Sequence, residues 1–187
     1  VGIEDLRRVY EEHDEALRRD WQRSLPLGDA VLDRWQRAQR LGFGAGTSIY
    51  NSALVFEPVE VGTDVWIGPF TVIDGSGGGV VIGDGCQLSA GVHVYTHDTV
   101  LRTLSGGLAA RTEGRVSIGP YTYVGPNSVV AAGVSIGRQC VVGANSFVNV
   151  DVPDRTVVAG SPARVVGRVE GEGADVRMVK GQGAGEG

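Results

Sequence analysis

Long apolar runs are missing from this chain. None approaches the roughly 20 residues that a membrane-spanning helix needs, so no such span is expected. From Val1 onward the sequence does not read as a secretory leader. Long basic runs are missing too, and the formal charge is −5, which argues against nucleic acid as the main partner. Cysteine is confined to Cys86 and Cys140, which excludes a disulfide framework and points to a reducing, cytoplasmic setting. No phosphate-cradling Walker loop is present. The run Gly75-Ser76-Gly77-Gly78-Gly79 lacks the following Lys-Ser/Thr and reads as a corner insertion. Histidine is limited to His13, His93 and His97. Catalytic zinc takes three protein ligands, so no metal is expected unless copies of the chain share one.

What the chain has in excess is glycine, 30 residues, about twice the average usage and without a collagen-like period of three. Its use becomes plain between Val116 and Val152. There an apolar residue falls on every sixth position: Ile118, Val124, Val130, Ile136, Val142 and Val148. At 42% hydrophobic content, six such hits have a chance probability of about 0.005. Four places after each stands a compact residue: Thr122, Ser128, Val134, Cys140, Ser146 and Val152. A period of six fits neither a helix nor an isolated strand. It predicts a parallel β-helix, in which no repeat buries its apolar face alone and glycine takes the tight corners.

The same register runs through Phe43, Ile49, Val55, Val61, Ile67 and Ile73, shifts by three across the glycine insertion, and resumes at Ile82, Leu88 and Val94. At three faces per turn this predicts about five turns stacked at roughly 4.8 Å. Cys86 and Cys140 fall in compact slots and are expected to be buried fillers. The ladder then fails. The next compact slot holds Asp98, whose carboxylate would be costly in an apolar core, so the chain is expected to leave the coil at His97-Asp98. Residues 99–115 read as an excursion loop, and long loops in compact domains are usually functional.

Before the coil, two helical faces are expected between residues 3 and 41: Leu6, Tyr10, Leu17 and Trp21, then Val31, Leu32, Trp35, Ala38 and Leu41. Asp29 is the expected N-cap of the second. This segment reads as a cap on the first turn, shielding a strand edge, with a lid or substrate shelf as the functional alternative. After the coil, Pro153 and Pro162 are expected to end strand pairing. Residues 169–187 read by composition as a disordered tail. The division is therefore residues 1–42, 43–168 and 169–187.

The chemistry is expected at the break. His97 stands where the repeat fails, beside Asp98, and an imidazole held there can act as a general base. Asp98 or a backbone carbonyl would fix its tautomer. His93 is expected to point outward at a corner, as substrate contact or simple exposure. Asp74, read as an exposed carboxylate before the glycine run, suits either substrate binding or turn capping.

These residues resemble the hexapeptide-repeat acyltransferases with a left-handed parallel β-helix. The likeness covers residues 43 to 168. Ser89-Ala-Gly-Val-His-Val-Tyr-Thr-His-Asp-Thr99 is similar to the catalytic stretch of the maltose, galactoside and nodulation-type O-acetyltransferases. The ending from Val141 to Arg168 is similar to their coenzyme A segment, with Ser161 where Asn is usual. The resemblance implies acetyl-CoA as donor, no permanently bound cofactor, a hydroxyl or amine on a sugar-like acceptor, and a homotrimer with sites between subunits. It implies His97 as base and Asp74, His93, Tyr95 and Asp98 near the acceptor. Gly143, Ala144, Ala159, Gly160 and Ser161 would line the pantetheine arm, and Arg164 and Arg168 would meet the nucleotide phosphates. A γ-type carbonic anhydrase on the same fold and a non-catalytic scaffold are the rival readings.

Overall fold

The computed structural model describes residues 2–181. Its six-residue spacing folds into a coil with three parallel faces. The first face stacks Ser48–Ile49, Trp66–Ile67, Gln87–Leu88, Tyr123–Val124, Val141–Val142 and Thr156–Ala159. The second stacks Leu54–Phe56, Val72–Asp74, His93–Tyr95, Val129–Val130 and Phe147–Val148. The third holds Val59–Val61, Val80–Ile82, Val116–Ile118 and Ser135–Ile136, extended by a bridge from Ile136 to Val152. This mainly β arrangement fits a left-handed parallel β-helix. Apolar marks of successive turns pair in register, as in Ile49 with Ile67 and Ile67 with Leu88.

Every apolar mark points inward and is buried, except Val55, which is half-buried on the first turn. The compact slots are buried as well, from Thr47 through Cys86 to Val152. Full burial of each Val, Leu or Ile contributes about 1.5–3 kcal/mol. The buried hydroxyls donate to corner carbonyls: Thr122 to Gly137 at 2.8 Å, Ser128 to Gly143 at 2.8 Å and Thr71 to Gly68 at 2.7 Å. A polar group at a corner is thereby satisfied without water.

Three helices precede the coil: α1 (Ile3–Trp21), α2 (Leu27–Val31) and α3 (Arg34–Arg40). The last covers the first turn, burying Ala38, while Arg37 donates to the carbonyls of Tyr50 and Ala53. Burial there pulls the guanidinium below its usual pKa, opposed by the nearby Asp29. The N-cap differs from expectation. Asp33 caps α3, accepting from the Gln36 amide at 2.7 Å. Asp29 instead lies in the first turn of α2 and accepts from the amides of Asn51 and Ser52. Those amides sit on the first turn, where no strand lies below to take them, so a carboxylate does.

Two expectations about the later chain are overturned. Pro153 does not end the pairing: Thr156–Ala159 adds a further parallel strand before the chain reverses after Pro162. The expected disordered tail is ordered through residue 181. Arg164–Glu170 and Arg177–Lys180 continue the first face as an antiparallel meander, with Arg155 Nε donating to the Val169 carbonyl at 3.2 Å. The Gly- and Glu-rich composition masks an open sheet edge that these residues pair with. Residues 182–187 lie outside the described residues. The excursion over 99–115 carries a short helix, α4 (Val100–Leu104), and its far end, Thr112–Glu113, pairs antiparallel with His97–Asp98. Among the described residues no helix is long and apolar enough to cross a membrane.

Candidate active site

The site begins with Thr96. After Val94 the chain keeps the plain alternation of a strand, so Thr96, not Asp98, takes the inward position and is fully buried. Its hydroxyl donates to the Asp74 carbonyl at 2.7 Å and accepts from the Gly77 amide at 2.8 Å. One buried threonine thus ties the His97 corner to the glycine insertion of the previous turn. The insertion packs against it without clearance. A Cβ on Gly77 would lie 2.3 Å from the Thr96 carbonyl oxygen and 2.7 Å from the His97 Cβ.

His97 follows, at the corner between the second and third faces. Its Nδ1 lies 3.6 Å from Asp74 Oδ2 and 3.3 Å from Ser76 Oγ. Asp74 Oδ1 accepts from the Ser76 amide at 3.0 Å. The Asp74 side chain is only 13% exposed and that of His97 23%, so Asp74 is not the exposed carboxylate expected. Stacking of Val72–Asp74 beneath His93–Tyr95 turns it toward the imidazole. Among the described residues nothing hydrogen-bonds His97 Nε2. An imidazole held by Nδ1 beside a carboxylate, with Nε2 unengaged, can accept a proton and be stabilised once charged.

Asp98 does not orient His97. It is exposed, and its Oδ1 accepts from the Val100 amide at 3.0 Å, opening α4. His93 is not at a corner. It sits within a strand on the outer surface of the second face, half-buried, its Nδ1 3.2 Å from the Tyr95 hydroxyl and its ring edge-on to that ring. Tyr95 is the register partner of Asp74, so this pair borders the His97 corner.

The second group of expected residues lies elsewhere. Gly143, Ala144, Ala159 and Gly160 stack at the corner between the first and second faces. A Cβ on Gly143 would lie 2.9 Å from the Ala159 Cβ, and Gly160 takes φ 102°. The result is a ledge of small residues, with Ser161 exposed just beyond. Arg164 borders a cavity of about 340 Å³ with Val148 and Pro153; Arg168 borders one of about 530 Å³ with Asp154 and Glu170. The ledge lies at one end of the second face's strands and His97 at the other, so the width of that face separates them. Within one chain they do not share a cleft. A further cavity of about 400 Å³, lined by Trp21, Leu32, Trp35 and Tyr50, lies under the N-terminal helices on the first turn.

Cys86 and Cys140 are free and buried, and burial raises both thiols above their usual pKa. Among the described residues no three His, Cys, Asp or Glu side chains cluster as metal ligands. Sequence reasoning missed Thr96, Ser76 and Arg111. Ser76 had one signal: it is the only side chain in Gly75–Gly79, an insertion one turn below the break.

Residues 115–149 match the bacterial transferase hexapeptide (six repeats), and residues 58–96 the hexapeptide repeat of succinyl-transferase. Hexapeptide repeats are thus matched in two stretches of the coil, one on either side of the excursion. It is 34% identical over 127 residues to the carnitine operon protein CaiE of Salmonella agona, covering 65% of this chain and 64% of that protein. It thus spans a little under two thirds of the curated relatives it matches along most of its coil. A shorter match, 43% over 51 residues, is to a probable acetyltransferase of Mycobacterium tuberculosis, covering 27% of this chain and 17% of that one. Among solved structures it is similar to AntD, an N-acyltransferase from Bacillus cereus in complex with dTDP and 3-hydroxybutyryl-CoA (TM-score 0.59, 20% identity, 72% of this chain and 89% of that one). It is also similar to a hexapeptide-repeat acetyltransferase from Vibrio cholerae complexed with acetyl coenzyme A (TM-score 0.51, 24% identity, 88% and 87%). At these identities the likeness is one of fold.

Proposed function

We propose that this hexapeptide-repeat protein is an acyltransferase that moves an acetyl group from acetyl-CoA to a hydroxyl or amine of a sugar-like small molecule. The observation that carries this reading is the His97 corner: Nδ1 faces Asp74 and Ser76, and Nε2 is left for a substrate, at the break in the repeat. The names of the relatives support it, since they include acetyltransferases and an N-acyltransferase bound to coenzyme A thioesters.

In this mechanism His97 Nε2 takes the proton of the acceptor hydroxyl or amine as its lone pair attacks the thioester carbonyl. A backbone N–H stabilises the oxyanion. The tetrahedral intermediate collapses with cleavage of the C–S bond, and the proton on His97 passes to the departing thiolate. Asp74 stabilises the imidazolium between those steps. Transfer is direct, because both thiols are buried. The pantetheine arm runs along the Gly143–Ala144 and Ala159–Gly160 ledge, and Arg164 and Arg168 meet phosphates as charge-assisted donors.

The separation of ledge and His97 supports an assembly in which one copy's ledge faces another copy's His97. The second face also carries exposed Leu54, Phe56 and Phe147. A cyclic trimer meets both requirements. The test measures coenzyme A release from acetyl-CoA with sugars and aminosugars as acceptors, in wild type and His97→Ala. The expected result is acceptor-dependent release that falls by about 10²- to 10⁴-fold in the variant. Unchanged turnover in His97→Ala would overturn this reading.

A further inference from the structure

The glycine insertion carries one side chain, and that side chain reaches His97. Gly75 presses on the backbone of the turn before it and Gly77 on that of the turn after it: a Cβ on Gly75 would lie 2.0 Å from the Pro58 carbonyl oxygen, and one on Gly77 2.3 Å from that of Thr96. Ser76 alone faces outward, with its Oγ 3.3 Å from His97 Nδ1. Asp74 Oδ2, at 3.6 Å, lies beyond hydrogen-bond distance, so the hydroxyl is the nearer partner of that nitrogen.

Ser76 is itself held from two sides. Its amide donates to Asp74 Oδ1 at 3.0 Å, and its carbonyl accepts from Arg111 Nη2 at 2.8 Å. Arg111 also pairs through Nε with Glu113, and Glu113 is the strand partner of His97. Four residues therefore form a closed circuit from His97 through Ser76, Arg111 and Glu113 back to His97. The circuit joins the two irregular segments of the coil, the insertion and the excursion.

We propose that Ser76 is a positioning residue that holds His97 in the tautomer protonated on Nδ1, and that Arg111 is the latch that keeps Ser76 in place. Ser76 Oγ accepts from Nδ1–H, which leaves the Nε2 lone pair for the substrate proton. Asp74 then stabilises charge while Ser76 sets the tautomer. This division of labour rests on His97 being the base.

The test uses the full chain with ¹⁵N-labelled histidine, comparing wild type, Ser76→Ala, Ser76→Thr and Arg111→Ala. Ring ¹⁵N shifts report the His97 tautomer in the free protein, with His97→Ala identifying the signals. Coenzyme A release is measured alongside. Wild type should show the Nδ1–H form, and Ser76→Ala and Arg111→Ala should mix the tautomers. Both should lower kcat by about 10- to 100-fold with little change in the KM for acetyl-CoA. Ser76→Thr, which keeps the hydroxyl, should restore both readouts. Unchanged ring shifts in Ser76→Ala would overturn the proposal, even if His97→Ala is inactive. A shifted tautomer in a protein without transferase activity would support the positioning and sink the acyltransferase reading instead.

Discussion

The turns between Val116 and Val148 and the turn that carries His97 follow the same six-residue rule to different ends. In the regular turns every inward residue is buried, and the buried hydroxyls are spent on the coil's own carbonyls. Their corners are compact, and the one at Gly143–Ala144 presents a ledge of backbone and small side chains with no acid–base group. In the interrupted turn, a three-residue shift and an excursion leave a corner that the ladder does not fill. Into it come a carboxylate and a hydroxyl from one segment of the chain and an imidazole from another. Regular stacking stabilises the molecule, and its interruption opens the corner at which we propose the chemistry.

That contrast predicts opposite responses to substitution. The largest expected effect is on rate: His97→Ala lowers kcat by about 10²- to 10⁴-fold. His97 is half-buried and outside the apolar core, so the change costs about 1 kcal/mol of stability at most. Ile118→Ala, at a fully buried mark of the regular turns, does the reverse. It costs about 2–5 kcal/mol in urea unfolding, and the folded fraction keeps its kcat. A large stability loss in His97→Ala would break the contrast.

Gly77→Ala tests the seam between the regions. The added Cβ must displace the Thr96 carbonyl or the His97 side chain. Both readouts should move, with kcat falling by about 10²-fold, since a shift of about 1 Å at a reacting group is enough for that. Normal kinetics would show that the insertion does not set the position of His97.

The ladder was legible in the sequence because inward positions recur at a fixed interval, and burial follows the interval from Ile49 to Val148. The pairing of Asp74 with His97 was not. They stand 23 positions apart, and only the lengths of the insertion and the excursion decide which corners stack. Asp98, adjacent in sequence, looked the better partner, but strand alternation turns it away and gives it to the Val100 amide. The meander through Arg177–Lys180 was hidden for a different reason: its order comes from pairing with Arg164–Glu170. Composition carries no record of an available edge.

A smaller effect is expected at the other end of the second face. Replacing Arg164 and Arg168 by Ala should raise the KM for acetyl-CoA more than for a dephospho-CoA thioester, because a charge-assisted contact to the 3′-phosphate is lost only with the first. Equal shifts for both donors would argue against 3′-phosphate contact there. The two arginines border different cavities, so the single variants should differ in size of effect.

The smallest effect concerns two compact fillers, Cys140 in the regular turns and Cys86 in the turn that carries His97. Burial raises both thiols above the ordinary 9.0, so the folded protein holds their protons to higher pH than the unfolded chain does. The sign follows from linkage. Below pH 9 both states keep the protons and the thiols leave stability unchanged. As pH rises past the unfolded value, the unfolded chain ionises first and stability is lost until the folded pKa is reached. Urea unfolding from pH 8 to 10.5 should therefore show a decline that is shallower in a Cys86→Ala, Cys140→Ala double variant, beyond what the lost volume takes away at every pH. The native thiols should also resist alkylation at pH 8 and react on unfolding, because the thiolate is the nucleophile. A parallel decline in the two proteins, or rapid alkylation of the folded chain, would mean that these compact slots are open to solvent and that the coil breathes.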